Sequence, residues 1–342
     1  MANQTRQLAE LLRGAQATVV MVQSNRPYAP AWVGRWPGVR ALFRLVPYLF
    51  ALWRAAARSD LFHVMANSGW AWHLFSTPAI WIARARAVPV VVNYRGGEAA
   101  SFLQRSAAIV RWSMRRTARL AVPSAFLEQV FGRHGMHAVI VPNVIDLGHF
   151  RPHDAGERPA RHVVVARNLE AIYDNATALR ALALVRRRCP DAHMTIAGSG
   201  PEAARLQALA AELGLADCVR FTGRLDRDGM AALYRDADLC VNPSRVDNMP
   251  NSLLEAMASG VPVVSTNVGG VPFIVQDRVS ALLVASGDPD AMADALVTLI
   301  EDRSMRRRLA AAALREVERY SWTRVAPVLA DVYRNALARA RA

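Results

Sequence analysis

The sequence predicts an α/β protein of two doubly wound, Rossmann-like parallel-sheet domains that face each other across a cleft. Apolar β-branched runs (ATVVMVQ, VPVVVNY, AVIVPNV, RHVVVA, HMTIAG, CVRFTG, DLCVNPS, VPVVST) alternate with long Ala/Leu/Arg-rich stretches of helical spacing, which is the pattern of parallel α/β layers. A polar connector, Asp146 to Arg161, divides two such sets, and Pro152, Gly156 and Pro159 break any continuous element there. With 342 residues, 53% of them hydrophobic, the chain can build two cores. The expected domains are 1–150 and 151–320, followed by an amphipathic helix over 321–342.

Composition narrows the function. Cys189, Cys218 and Cys240 are scattered and lack CxxC spacing, so neither a zinc site nor a disulfide frame is indicated, and a reducing cytosol fits. The start ANQTRQLAE is polar, unlike a secretory signal, and no run reaches the roughly eighteen apolar residues of a membrane span. Charge is uneven: residues 1–150 hold 17 arginines against five acids, whereas 151–342 hold 25 against 23. The chain has no lysine, so every basic side chain is a guanidinium, suited to bidentate phosphate contacts and to ring stacking.

Taken in order, helical spacing begins at Thr5 to Leu12. Trp32 to Arg58 and Ser101 to Leu120 interleave arginines with aromatic and aliphatic residues, which suits either an anionic membrane surface or two core-facing helices with solvated arginines. Nucleic acid is discounted, because the aromatics sit among aliphatics rather than on a strand platform. His63 and His73 lie in apolar surroundings and read as packed residues. Arg95 follows the strand VPVVV, and Arg167 ends the strand RHVVVAR. AGSGPEAARL, with Gly198 and Gly200, is a weak dinucleotide fingerprint because its third glycine position holds Ala203. It reads better as a strand-to-helix turn. Asp226/Asp228, Asp236/Asp238 and Asp288/Asp290 spell D-x-D, but each can be a turn or helix-start carboxylate.

Asp247 to Gly270 carries the most chemistry. DADLCVNPS reads as a buried strand entering a polar turn, and Asn248, Pro250 and Asn251 are helix-starting residue types. The unpaired N–H groups and positive dipole end of that helix would receive a diphosphate, while Glu255 could accept from a vicinal ribose diol. Asp247 is placed to accept from hexose hydroxyls. VPVVST then leads to Gly269 and Gly270, where backbone can approach the same ligand without Cβ obstruction.

This segment, PSRVDNMPNSLLEAMASGVPVVSTNVGG, resembles the acidic-x7-Glu signature of the retaining GT-B-fold glycosyltransferases, the glycosyl transferases group 1. The likeness covers roughly Val163 to Tyr333 and is weaker before that. It implies a GT-B fold and donor contacts from Arg167, the turn at Gly198 and Gly200, and the loop Asn248, Met249, Pro250, Asn251, Ser252 and Leu253. It further implies that the base is read through backbone near Arg224 and Leu225, that no metal is needed, and that the last helix returns to the first domain. The chain departs from the family in four places. Asp247 stands where Glu is usual, and the lysine that follows Arg167 is missing. Arg95-Gly96 replaces His-Gly, so Arg95 either steadies the leaving diphosphate, binds an acceptor phosphate or faces solvent. No strand and glycine loop precede the first helix, so either translation starts upstream of Met1, the favoured reading, or the chain is a degenerate member.

The resulting expectation is a metal-independent retaining hexosyltransferase, with Asp247 and Arg95 as catalytic candidates. It would use a UDP- or GDP-sugar and a lipid-linked or cell-surface glycan acceptor, in the cytoplasm or at the inner face of the plasma membrane. Three alternatives are a non-catalytic nucleotide-sugar-binding partner in glycan assembly, a GT-B-fold sugar nucleotide epimerase and a peripheral membrane-binding module.

Overall fold

The computed structural model describes residues 2–24, 32, 40–152 and 159–341. The chain divides into two compact units, Met1–Val144 with Val325–Ala342, and Ile145–Arg324.

The first unit holds a parallel sheet of order β1-β2-β3-β4: β1 Phe62–Ala66, β2 Val90–Tyr94, β3 Arg119–Val122 and β4 Val139–Ile140. Its helices are α1 Ala2–Gly14, α2 Arg40–Ala56, α3 Thr77–Ala85, α4 Ala99–Met114 and α5 Ala125–Gly132. The core gathers Val90, Val92 and Tyr94 from β2 around Trp72, Ile80, Leu103 and Phe131. Two expectations change here. The run ATVVMVQ forms no strand: β1 pairs only with β2 among the described residues, and a strand exists only where a neighbour completes its ladder. The segment instead bonds locally, Ala17 N to Leu12 O and the Arg13 guanidinium to Val19 O. Ser101 to Leu120 is not one helix, since Arg119 and Leu120 already belong to β3. Of Trp32 to Arg58, residues 33–39, with Arg35 and Trp36, lie outside the described set.

The second unit holds a parallel sheet of order β10-β9-β8-β5-β6-β7. Its strands are β5 His162–Ala166, β6 His193–Ala197, β7 Val219–Gly223, β8 Leu239–Asn242, β9 Val263–Thr266 and β10 Leu282–Val284. Between them run α6 Asn175–Arg188, α7 Ala203–Glu212, α8 Arg227–Asp236 and α9 Asn251–Ala258, and then α10 Pro289–Glu301 and α11 Arg303–Val317. Period-2 alternation assigns β5 to both faces: Val163 and Val165 pack with Leu179, Leu182 and Leu296, whereas Val164 packs with Tyr234, Leu254 and Met257. Each buried valine contributes about 1.5–3 kcal/mol. The chain runs outward through β5, β6 and β7 and then returns to lay β8 on the other side of β5. The carboxyl ends of β5 and β8 are therefore the topological switch point, where open α/β sheets bind ligands.

The last helix, α12 Trp322–Arg341, buries Val325, Leu329, Val332 and Ala336, a spacing of four, three and four. From Val325 onward it belongs to the first unit.

Candidate functional site

Two loops meet at the switch point, 167–174 after β5 and 243–250 after β8. Arg167 pairs with Asp247 through Nη2 and Oδ2, each side chain only 10% exposed. Arg167 Nη1 donates to Ser252 Oγ at 3.2 Å, and the guanidinium lies 4.2 Å from the ring centre of Tyr173. Its Nε is buried without a hydrogen-bond partner. Such an orphaned donor costs free energy that a bound anion would recover. A second bridge crosses the same loops in the reverse sense, Arg245 Nε to Asp174 Oδ2 at 3.0 Å, and Arg245 N donates to Ile172 O at 2.9 Å.

Below the loop a buried polar ladder fixes its course. Ser244 Oγ donates to Asn242 Oδ1 at 2.7 Å, Asn242 Nδ2 to Ser265 Oγ at 3.0 Å and Thr266 Oγ1 to Ser244 O at 2.6 Å. From the β9 side, Gly270 N donates to Asp247 O at 2.7 Å. Gly269 has φ +54°, and a Cβ there would strike Asp247 O, so only glycine allows this approach. The helix α9 then starts at Asn251, and its cap residue, Pro250, offers no side-chain acceptor to the first-turn N–H groups.

Burial raises the Asp247 carboxyl, against the lowering effects of Arg167, the Asn248 and Met249 N–H groups and Ser244. Glu255, one turn into α9, is pushed up to about 7 by burial, with Tyr234, Arg167 and Arg227 opposing. The Tyr234 hydroxyl, 3.1 Å from Ser252 O and 3.4 Å from Glu255 Oε2, is itself driven well up by burial and keeps its proton. The site thus joins a cation, two acidic groups of raised affinity for protons and a helix N-terminus.

Arg167, Asp247, Asn248, Met249, Pro250, Asn251, Ser252, Leu253, Glu255, Gly269 and Gly270 therefore come together around β5, β8 and β9. Gly198 and Gly200 follow β6, beside β5, where a Cβ would collide with Arg167 O and Leu169 O respectively. Arg224 and Leu225 follow β7, one strand further along, and Arg224 is exposed. Tyr173, Asp174, Tyr234 and Arg245 were not singled out from sequence. A signal existed for the first two, since IYDN occupies the stretch where the lysine is absent.

Arg95 ends β2 in the first unit. It donates from Nε to Asn93 Oδ1 at 3.0 Å and from Nη1 to Asn143 Oδ1. Burial lowers its pKa to about 10, and among the described residues it makes no ion pair. With Gln4, Gln7 and Leu11 of α1 it lines a cavity of about 20 Å³, room for one water. His63 is a packed residue, bonded to Tyr333 Oη at 2.7 Å and Asn93 Nδ2 at 3.2 Å, and burial with the nearby Arg95 charge holds it down at about 3. His73 packs edge-on against Trp70 and Phe102. The D-x-D pairs have structural partners: Asp226 caps α8, Asp288 caps α10, and Asp236 and Asp238 bond the His162 ring and backbone. Among the described residues no group of three or more His, Cys, Asp or Glu could hold a metal.

Residues 160–302 match the family model described as "Glycosyl transferases group 1". A D-inositol 3-phosphate glycosyltransferase of Saccharomonospora viridis is 36% identical over 211 residues, covering 57% of this chain and 49% of that protein. A GDP-mannose-dependent alpha-(1-6)-phosphatidylinositol monomannoside mannosyltransferase of Mycobacterium tuberculosis is 34% identical over 213 residues, covering 57% and 55%. The chain thus spans about half the length of these curated relatives. Among solved structures, Anabaena HepE in complex with UDP and glucose superposes with TM-score 0.72 at 18% identity, covering 84% of this chain and 81% of that one, a likeness of fold. Residues 160–302 thus match the glycosyl transferases group 1, and the two parallel α/β sheets of the chain have the GT-B fold.

Proposed function

We propose that this protein is a retaining, metal-independent hexosyltransferase that moves a sugar from a nucleoside diphosphate sugar to a hydroxyl of a lipid-linked or cell-surface glycan acceptor. The observation that carries this reading is the meeting of Arg167, Asp247 and Glu255 at the β5/β8 switch point in front of α9. Arg167 and the α9 N–H groups, with the turn at Gly198 and Gly200, would hold the diphosphate. Glu255 would accept from the ribose diol and Asp247 from the hexose. The backbone at Arg224 and Leu225 would meet the base, and Gly269 and Gly270 would close over the ligand. In front-face attack the acceptor oxygen bonds to the anomeric carbon as the bond to the diphosphate breaks, and the leaving diphosphate takes the acceptor proton, so no strong protein base is required. Arg95, a cation without an ion pair among the described residues, would serve negative charge on the leaving group or acceptor. The relatives' names, one including GDP-mannose and a phosphatidylinositol mannoside, favour a nucleotide-sugar donor and a lipid acceptor.

The membrane reading has a structural feature in its favour. Phe43, Val46, Phe50 and Trp53 form one stripe along α2, 42–63% exposed, on the side away from the core residues Tyr48 and Leu52. On α4, Ile109 and Trp112 are likewise exposed, and Arg116 lies over both Trp81 and Trp112, at 4.2 and 4.4 Å. Among the described residues no helix is long and apolar enough to cross a membrane. This face would place the enzyme on an anionic membrane surface, at the inner leaflet.

The test is calorimetry with UDP- and GDP-sugars, followed by transfer to extracted lipid acceptors. Binding of one donor, lost in Glu255→Ala, with transfer to acceptor is the expected result. Nucleotide binding without transfer or donor hydrolysis would instead mark a non-catalytic partner, and product from donor alone an epimerase.

A further inference from the structure

The charge at the switch point does not match a diphosphate. Arg167 is already neutralised by Asp247, and Glu255 adds a part-ionised carboxyl, so the groups in direct contact sum to zero or below. A nucleoside diphosphate brings at least two negative charges. The stretch after Arg167 offers no second cation: NLEAIYDNATALR carries Glu170 and Asp174 before its next arginine, Arg180, which is exposed on α6.

We infer that Arg245 supplies the second cation for the donor diphosphate, held ready by Asp174. This rests on the nucleotide-sugar reading of the same site. Arg245 stands two residues from Asp247, on the loop that carries it, and its backbone N–H is bonded to Ile172 O, next to the Tyr173 ring that stacks on Arg167. Its guanidinium is 64% exposed, whereas its partner Asp174 is 5% exposed. The two ends of the bridge are therefore unequal. Arg245 can turn to a ligand at little cost in desolvation. Asp174 stays satisfied without it, because Thr177 Oγ1 donates to the same Oδ2 at 2.9 Å and Asp174 occupies the N-cap of α6, where the helix dipole favours an anion. A guanidinium can in addition meet two phosphate oxygens at once.

The experiment titrates UDP and GDP, and separately uridine and guanosine, into wild-type protein and the variants Arg245→Gln, Arg245→Lys and Asp174→Asn at low and moderate salt. Arg245→Gln is expected to bind the diphosphate about tenfold more weakly, with a shallower salt dependence and unchanged nucleoside affinity, and Arg245→Lys to restore part of the loss. Asp174→Asn separates this role from loop lacing: it frees Arg245 and leaves diphosphate affinity equal or higher, whereas a merely structural bridge would make both variants bind worse alike. Equal loss in Arg245→Gln and Asp174→Asn, or no loss in Arg245→Gln, overturns the inference while the donor site stands. Wild-type protein that binds neither UDP nor GDP overturns the inference together with the function on which it rests.

Discussion

Arg167 and Asp247 form a buried ion pair that joins the carboxyl ends of β5 and β8, the two strands between which the sheet reverses its order. The pair does two things. It closes the gap between two loops, and it holds the acid proposed to meet the hexose against the arginine proposed to meet the diphosphate.

Removing one partner should therefore cost more than removing both. Arg167→Met leaves the Asp247 carboxylate buried without its counter-charge and is expected to destabilise the second unit by about 3 kcal/mol. The double variant Arg167→Met/Asp247→Leu, with no charge left to bury, should recover most of that. Urea unfolding of the three proteins measures it, and a double variant as unstable as the single would contradict the assignment of a desolvated pair.

Glu255 should make both stability and donor binding depend on pH. Its carboxyl is held at about 7 in the folded protein, above the ordinary 4.5, so the folded state binds more protons than the unfolded one between those values. Stability then falls as pH rises from about 4.5 to about 7 and levels off above that. Glu255→Gln should remove this component, gaining about 2–3 kcal/mol over wild type at pH 8 relative to pH 5. Donor affinity should move the opposite way and rise through pH 7, because the ionised carboxylate is the stronger acceptor for ribose hydroxyls. Matched denaturation and calorimetry series at pH 5, 6, 7 and 8 read both.

Gly269→Ala should abolish donor binding at modest cost to the fold. The substitution places a Cβ against Asp247 O and adds the strain of a left-handed residue, about 1–2 kcal/mol, which the loop can relieve only by moving Asp247. Gly97→Ala, where a Cβ meets nothing, is the control. Equal donor affinity in both variants would show that the approach of β9 to this loop does not position the site.

What the sequence made legible follows the reach of its signals. β5, β8 and α9 were readable because VVV and LCVN are buried on both faces and Pro250-Asn251 starts a helix, all local properties. The strands FHVMA, RLAV and LLV carry no such local signal, because three to five mixed residues form a strand only by virtue of their neighbours, and ATVVMVQ has a strand's composition without being one for the same reason in reverse. Within the site, Asp247 and Glu255 stood out by spacing. Their partners did not: Tyr234 lies 21 residues before Glu255, Arg167 80 before Asp247 and Asp174 71 before Arg245, distances that only the parallel sheet closes.

Membrane association should depend on the α2 stripe and on lipid charge together. Between residues 40 and 120 twelve arginines stand against two acids, so a second copy of this face would repel it, whereas a surface of acidic phospholipid would attract it. Within the face, Arg86 lies over Trp53 at 5.0 Å and Arg54 over Phe50 at 5.8 Å, each pairing an aromatic side chain with a charge suited to the headgroup layer. In vesicle sedimentation the protein should bind phosphatidylcholine/phosphatidylglycerol mixtures and not phosphatidylcholine alone, and the binding should weaken with salt. Phe50→Ser/Trp53→Ser removes two exposed aromatics that touch little of the core and should cut binding at least about tenfold without lowering the melting temperature. Binding that persists in this variant, or that ignores lipid charge, would return α2 and α4 to the status of core-facing helices with solvated arginines.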